Sequence, residues 1–217
     1  MSAPFTLRYF NAPGQADTAR LLLTAAKVEW TEEKPEEGQQ GFEEWYGTFP
    51  IMAHSTSEDD IGICDFVTIE RYLARTYGFL PADPLEAAKQ EHIRERLTEV
   101  LNAFVIQCSA SDDKKDELVA KFKDMLANTI KLLSMKLDMG TSSGHYFGDA
   151  LTYADIASYA FFKYMIITAK ELQGNVSELI MTKLTPQLDF HLRVIESHPL
   201  LVAETSKSEM FMSVLPN

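Results

Sequence analysis

Cysteine is scarce in this chain: only Cys64 and Cys108 occur in 217 residues, far apart and in no metal-ligand spacing. Neither a disulfide framework nor a zinc site is indicated. Long apolar runs are missing too, so no segment reads as a membrane span, and the start "MSAPFTLRYF" lacks the basic stretch and apolar core of a signal peptide. Positive charge is short: 20 Lys and Arg face 32 Asp and Glu, leaving a formal net charge of −12. Nucleic acid and anionic membrane both need basic patches, so neither is expected as the main partner. A cytoplasmic location is the simplest expectation. His54 and His145 fall in polar stretches without paired ligand spacing, which argues against a bound metal. Cys64 ends a predicted strand beside Asp65, and reads as a buried, inert thiol whose pKa the carboxylate raises.

What is present suits a folded protein. With 46% hydrophobic and 24% charged residues, the chain can bury a substantial core in one large domain or two small ones. "FTLRYF" (5–10) is β-branched and aromatic, and "NAPG" turns the chain. "QADTARLLLTAAKV" then places Ala19, Leu22, Leu23 and Ala26 on one helical face. "VEWTEEKP" reads as a second strand, "EEGQQGFEEWYGTF" as a loop or weak helix, and "PIMAH" and "IGIC" as two short strands joined by "STSEDD". The helix "FVTIERYLARTYG" closes at Gly78.

After "FLPADP" everything is helical in period: "LEAAKQEHIRERLTEVLNAFVIQ", "KKDELVAKFKDMLANTIKLLSMKL", "TYADIASYAFFKYMIITAKEL" and "LTPQLDFHLRVIES". The expected division is an α/β domain over 1–79, a linker over 80–85 and an all-helical domain over 86–217. Within "GDALTYADIASYAF", Thr152 and Asp155 stand three apart as a capping-box-like helix start, a stability element rather than a chemical one.

The stretches "LRYFNAPGQADTARLLL", Pro50 of "FPIM", "IERYLARTYG", "PLEAAK" and "GDALTYADIA" occur in an order that resembles the cytosolic glutathione transferases, the sigma-type branch in particular. The resemblance covers nearly the whole chain. It implies a thioredoxin-like α/β N-terminal domain, an all-α C-terminal domain, a homodimer, a cis peptide bond before Pro50, and glutathione as co-substrate. Tyr9 matches the family's tyrosine at the end of the first strand, which hydrogen-bonds the glutathione sulfur. A thiol of pKa about 8.5 is mostly protonated at neutral pH, and a hydroxyl aimed at the sulfur favours the nucleophilic thiolate. Phe49, Pro50, Asp65 and Phe66 fall on the family's glutathione-contacting positions.

Several of those positions depart from the family pattern. Where a sigma-type enzyme reads "GRAE", this chain reads "GQAD", with Gln15 in place of the arginine. The family's tryptophan and lysine upstream of the cis-proline have no counterpart: Trp45 lies too close to Pro50 and Lys34 too far. Asp65-Phe66 replaces the family's "QS", whose serine hydroxyl and N–H receive the γ-glutamyl carboxylate at a helix N-terminus. Phe66 keeps the N–H without the hydroxyl, and Asp65 has the chemistry to accept from the ligand's amino group. The expectation is a weakened glutathione site. If the protein is active, it conjugates glutathione to a small electrophile held between the domains, against residues 97–108 and the tail near Met210 and Phe211. The alternative is a non-catalytic structural or storage protein, as the S-crystallins are, or a binder of another small hydrophobic ligand near Tyr9, Phe49 and Phe66.

Overall fold

The computed structural model describes residues 4–10, 12–35, 41–42, 47–55, 60–140, 142–172 and 175–207. The N-terminal part begins with strand β1 (Phe5–Arg8), helix α1 (Asp17–Ala25) and strand β2 (Trp30–Glu33). A short hairpin, β3 (Gly41–Phe42) and β4 (Gly47–Thr48), precedes strands β5 (Ile51–Ser55) and β6 (Asp60–Cys64) and helix α2 (Phe66–Thr76). The four-stranded sheet runs β2-β1-β5-β6, with β1 parallel to β2 and antiparallel to β5. On β1, Phe5 and Leu7 are buried while Thr6 and Arg8 are not, the period-two pattern of a strand packed on one face. Val67, Ile69, Leu73 and Ala74 bury one face of α2, and Ala19, Leu22 and Leu23 do the same for α1. Gly78 follows the end of α2 at φ +75°, a left-handed conformation that glycine adopts without steric cost.

The C-terminal part is helical: α3 (Pro84–Cys108), α4 (Asp112–Asp138), α5 (Tyr153–Leu172), α6 (Asn175–Lys183), α7 (Pro186–Glu196) and the single turn α8 (Val202–Thr205). Asp83 caps α3, its Oδ1 accepting from the N–H groups of Leu85 and Glu86 at 3.0 and 2.9 Å, with Pro84 at the first helical position. Helix α5 is the core of this part, and every residue from Tyr153 to Phe162 is buried. The architecture is therefore a thioredoxin-like α/β N-terminal region followed by an all-α region.

Three local expectations need correction. The β3–β4 hairpin stands inside the stretch read as a loop or weak helix, of which residues 36–40 and 43–46 lie outside the described set. Helix α6 was not expected because its apolar stripe is short, resting on Val176 and Ile180. The two histidines do not stand in purely polar surroundings. His54 belongs to β5, where it stacks on Phe5 and shares a 2.7 Å hydrogen bond with the Tyr72 hydroxyl. His145 is buried, with Nδ1 3.3 Å from Asp155 Oδ2.

The Thr152–Asp155 start of α5 is a reciprocal box, with more built on it than the spacing implied. Asp155 Oδ2 accepts from Thr152 N (2.9 Å) and Oγ1 (2.6 Å), and Thr152 Oγ1 in turn accepts from Asp155 N at 3.4 Å. Asp155 Oδ1 also takes the N–H of Tyr146 at 2.9 Å, which ties the preceding loop to the helix.

Candidate functional site

Tyr9 leaves the end of β1 with its backbone N–H donated to Glu33 O at 3.1 Å. Its hydroxyl oxygen accepts the backbone N–H of Gln15 at 3.3 Å. The loop between β1 and α1 is held in shape by Arg20, whose Nη1 donates to Asp17 Oδ1 (2.6 Å) and Ala12 O (3.2 Å) and whose Nη2 donates to Phe10 O (3.2 Å) and Glu32. The same guanidinium lies 5.5 Å from the Tyr9 ring centroid. Burial pushes the Tyr9 pKa up, with Asp17 adding to it and the Gln15 N–H and Arg20 opposing. At neutral pH the phenol keeps its proton, and with the oxygen accepting from Gln15 that proton is available to donate.

Gly14 makes this approach possible. A Cβ at residue 14 would sit 2.7 Å from the Tyr9 hydroxyl oxygen, and its φ of +152° is one that side-chain-bearing residues rarely adopt. Gly14→Ala is expected to displace the hydroxyl from Gln15 and to cost about 1–3 kcal/mol of stability, measured by urea unfolding. A loss under about 0.5 kcal/mol, the range of an ordinary surface change, would show that the ring moves aside freely.

The hydroxyl opens into a cavity of about 130 Å³. Leu101 and Val105 of α3 form one wall, and Ala157, Phe161 and Tyr164 of α5 form another. Met210 and Phe211 lie outside the described residues. Arg94 closes one side, a residue that the sequence reading missed. Its Nε and Nη2 grip Glu70 Oε2 and Oε1 at 2.6 and 2.8 Å, and its Nη1 donates to Thr98 Oγ1 at 3.2 Å. Tyr153 donates its hydroxyl to Glu70 Oε2 at 2.8 Å, so the buried group joins α2, α3 and α5. Although burial disfavours its charge, Glu70 outweighs that and raises the Arg94 pKa, so the guanidinium stays cationic.

The start of α2 has its own solution for the helix dipole. Asp65 is the N-cap, at φ +70° and ψ 124°, and its Oδ1 accepts from Val67 N (3.0 Å) and Thr68 N (3.1 Å). A carboxylate of the chain itself thus occupies two of the donors that an incoming anion would use. The Phe66 ring lies against the Arg94 guanidinium, 5.1 Å from ring centroid to Cζ. Phe49 and Pro50 are buried and joined by a cis peptide bond. Edge contacts link Tyr9 to Phe10 (5.4 Å) and Phe10 to Phe49 (5.5 Å). Of the five candidate residues, Tyr9 lines the cavity; Phe66 reaches it through Arg94, and Phe49, Pro50 and Asp65 are not among its walls. Cys64 is partly buried, and burial first and Asp65 second raise its pKa. Among the described residues, no group of three or more His, Cys, Asp or Glu is placed to hold a metal ion. Among the described residues, no helix is long and apolar enough to cross a membrane.

A four-stranded mixed sheet with a cis-proline before β5, followed by a helical region built on α5, is the glutathione transferase fold. A sigma-class glutathione transferase of Fasciola hepatica superposes with a TM-score of 0.70 at 19% identity, over 94% of this chain and 96% of that one. In sequence, S-crystallin 2 of Enteroctopus dofleini is 25% identical over 187 residues, covering 81% of this chain and 87% of that protein. Glutathione S-transferase 3 of Caenorhabditis elegans is 26% identical over 158 residues, covering 70% and 75%. No family model matches the chain. In sequence the chain is thus similar to S-crystallins and to a glutathione S-transferase, and in fold to a sigma-class glutathione transferase.

Proposed function

We propose that this protein is a glutathione transferase-like protein whose glutathione site is weakened, with any turnover running through Tyr9. The observation that carries the reading is the Asp65 carboxylate bonded to the N–H groups of Val67 and Thr68, beside the residue-66 N–H on which the resemblance places the γ-glutamyl carboxylate. Phe66 adds no hydroxyl there, and Gln15 brings no charge to the Tyr9 loop. Each hydrogen bond to a charged group contributes roughly 1.5–3 kcal/mol. Losing two lowers affinity about a hundredfold or more, at about 1.4 kcal/mol per factor of ten. The Tyr9 hydroxyl still has a proton to donate to a sulfur, so slow conjugation of an electrophile seated against Leu101 and Val105 fits the same geometry.

The second reading is a non-catalytic protein on the same fold, structural or ligand-binding. The likeness to an S-crystallin over 81% of the chain and the net charge of −12 favour it, since strong net charge of one sign keeps a concentrated protein dispersed. A small hydrophobic ligand in the Tyr9 cavity belongs to this reading. Both readings take residues 1–79 as the α/β domain, 80–85 as linker and 86–217 as the helical domain, in a cytoplasmic homodimer.

Calorimetry with glutathione, run beside conjugation of a chloronitrobenzene, separates them. Weak binding that strengthens in Phe66→Ser, with turnover lost in Tyr9→Phe, is the expected result. Tight binding by the native chain would overturn the weakened site. Absence of heat and turnover at millimolar glutathione would leave the non-catalytic reading.

A further inference from the structure

A second cavity, of about 290 Å³, lies between the β1–α1 loop, α1, α5 and α8. Tyr9 is not among its walls. Pro13, Leu21, Ala160 and Ile167 give it an apolar lining. Its charges are mostly matched within the chain: Arg20 holds Asp17 and Glu32, and Lys207 holds Glu204 at 2.6 Å. Tyr159, part of the wall, donates its hydroxyl to the buried Glu196 at 3.1 Å.

Lys163 differs from these. It is partly buried, its Nζ donates to Thr205 O at 3.2 Å, and it lies 5.6 Å from the Tyr159 ring centroid. Among the described residues it has no carboxylate within ion-pair distance. An ammonium has three donors, and one backbone carbonyl uses one of them. A cation withdrawn from water and left with neutral contacts is under-compensated. Burial correspondingly lowers the Lys163 pKa, while Glu196, Asp17 and Glu204 oppose that from beyond contact distance.

We propose that this cavity is a second small-molecule site, taking a compact ligand with one carboxylate on an apolar body, the carboxylate paired with Lys163 and the body against Leu21 and Ile167. The volume lies at the lower edge of the roughly 300–1,000 Å³ usual for ligand pockets, which limits the ligand to a short acid. The carboxylates of the lining do not compete for the same donors, because Asp17, Glu32 and Glu204 are each held by another cation.

Hexanoate and its uncharged analogue hexanamide test this by methyl NMR titration, with no glutathione present, so the outcome is independent of the Tyr9 site. Hexanoate is expected to shift the methyl signals of Leu21 and Ile167 and to bind at least about tenfold more tightly than hexanamide. That comparison needs no variant. Lys163→Met is expected to abolish the difference, and Ile167→Trp to abolish binding by filling the space. The proposal is overturned if millimolar hexanoate shifts neither methyl, if it shifts Leu101 and Val105 instead, or if the amide or Lys163→Met matches the native affinity.

Discussion

Arg94→Met is expected to cost about 3–5 kcal/mol of folding stability, a large share of the ~5–15 kcal/mol that holds a typical domain together. The reason is what remains. Glu70 is fully buried, and its two oxygens are matched by the Arg94 fork and the Tyr153 hydroxyl. Methionine fills the volume of the arginine stem but leaves a carboxylate with one hydrogen bond and no counter-charge. Adding Glu70→Gln removes that charge while keeping an acceptor for Tyr153, so the double variant should recover most of the loss in urea unfolding. If Arg94→Met costs less than about 1 kcal/mol, the pair behaves as an exposed one and the burial argument fails. The same substitution takes the guanidinium from the Phe66 ring and from one wall of the Tyr9 cavity, so glutathione binding should be compared in the double variant, where the fold is restored.

The Arg94–Glu70 pair also shows what the sequence could and could not disclose. Both residues sit on otherwise apolar stripes: Glu70 beside Ile69 and Leu73 on α2, Arg94 with Ile93, Leu97 and Leu101 on α3. A charge on a buried face calls for a partner, and that signal was in the string. Which charge meets which depends on how α2 packs against α3, and no periodicity carries that. Tyr9 was singled out because the stretch around it resembles a family pattern. Its hydrogen bond to the Gln15 N–H was not, because it depends on a backbone turn that Gly14 permits. The capping role of Asp65 follows from its place just before α2, yet the string left open whether its carboxylate faced a ligand or its own helix. Strands and long helices were readable from period alone. The four-residue α8 and the two-residue strands β3 and β4 are too short to show one.

Asp155→Ala is the second large effect expected, about 3–5 kcal/mol, because it removes several bonds at one buried point. Tyr146 N and Thr152 N lose their acceptor, and an unsatisfied buried donor costs about 1–3 kcal/mol. The helix start adds roughly 1 kcal/mol for a lost cap. Acid should act on the same cluster before it reaches the carboxylate. His191 is fully buried, and its Nδ1–H donates to Gly144 O at 2.6 Å. That leaves Nε2 as a lone pair with no hydrogen-bond partner among the described residues. Burial lowers the His191 pKa despite Asp155, and burial followed by His145 lowers that of His198. A histidine with a depressed folded pKa binds more protons unfolded, so its stability is present above the unfolded value of about 6.5 and is lost as pH falls below it. Burial alone would raise the Asp155 pKa, but the bonds from His145, Thr152 and Tyr146 and the charge of His191 outweigh it and lower it. Its contribution holds above about pH 3.9 and fails only as pH falls further. Urea unfolding from pH 8 to pH 3 should therefore show two losses, the first near pH 6 and absent in a His191→Phe, His198→Phe double variant, the second near pH 4 and absent in Asp155→Ala. Stability that stays level from pH 7 to pH 5 in the native chain would exclude the histidines as its acid-sensitive point.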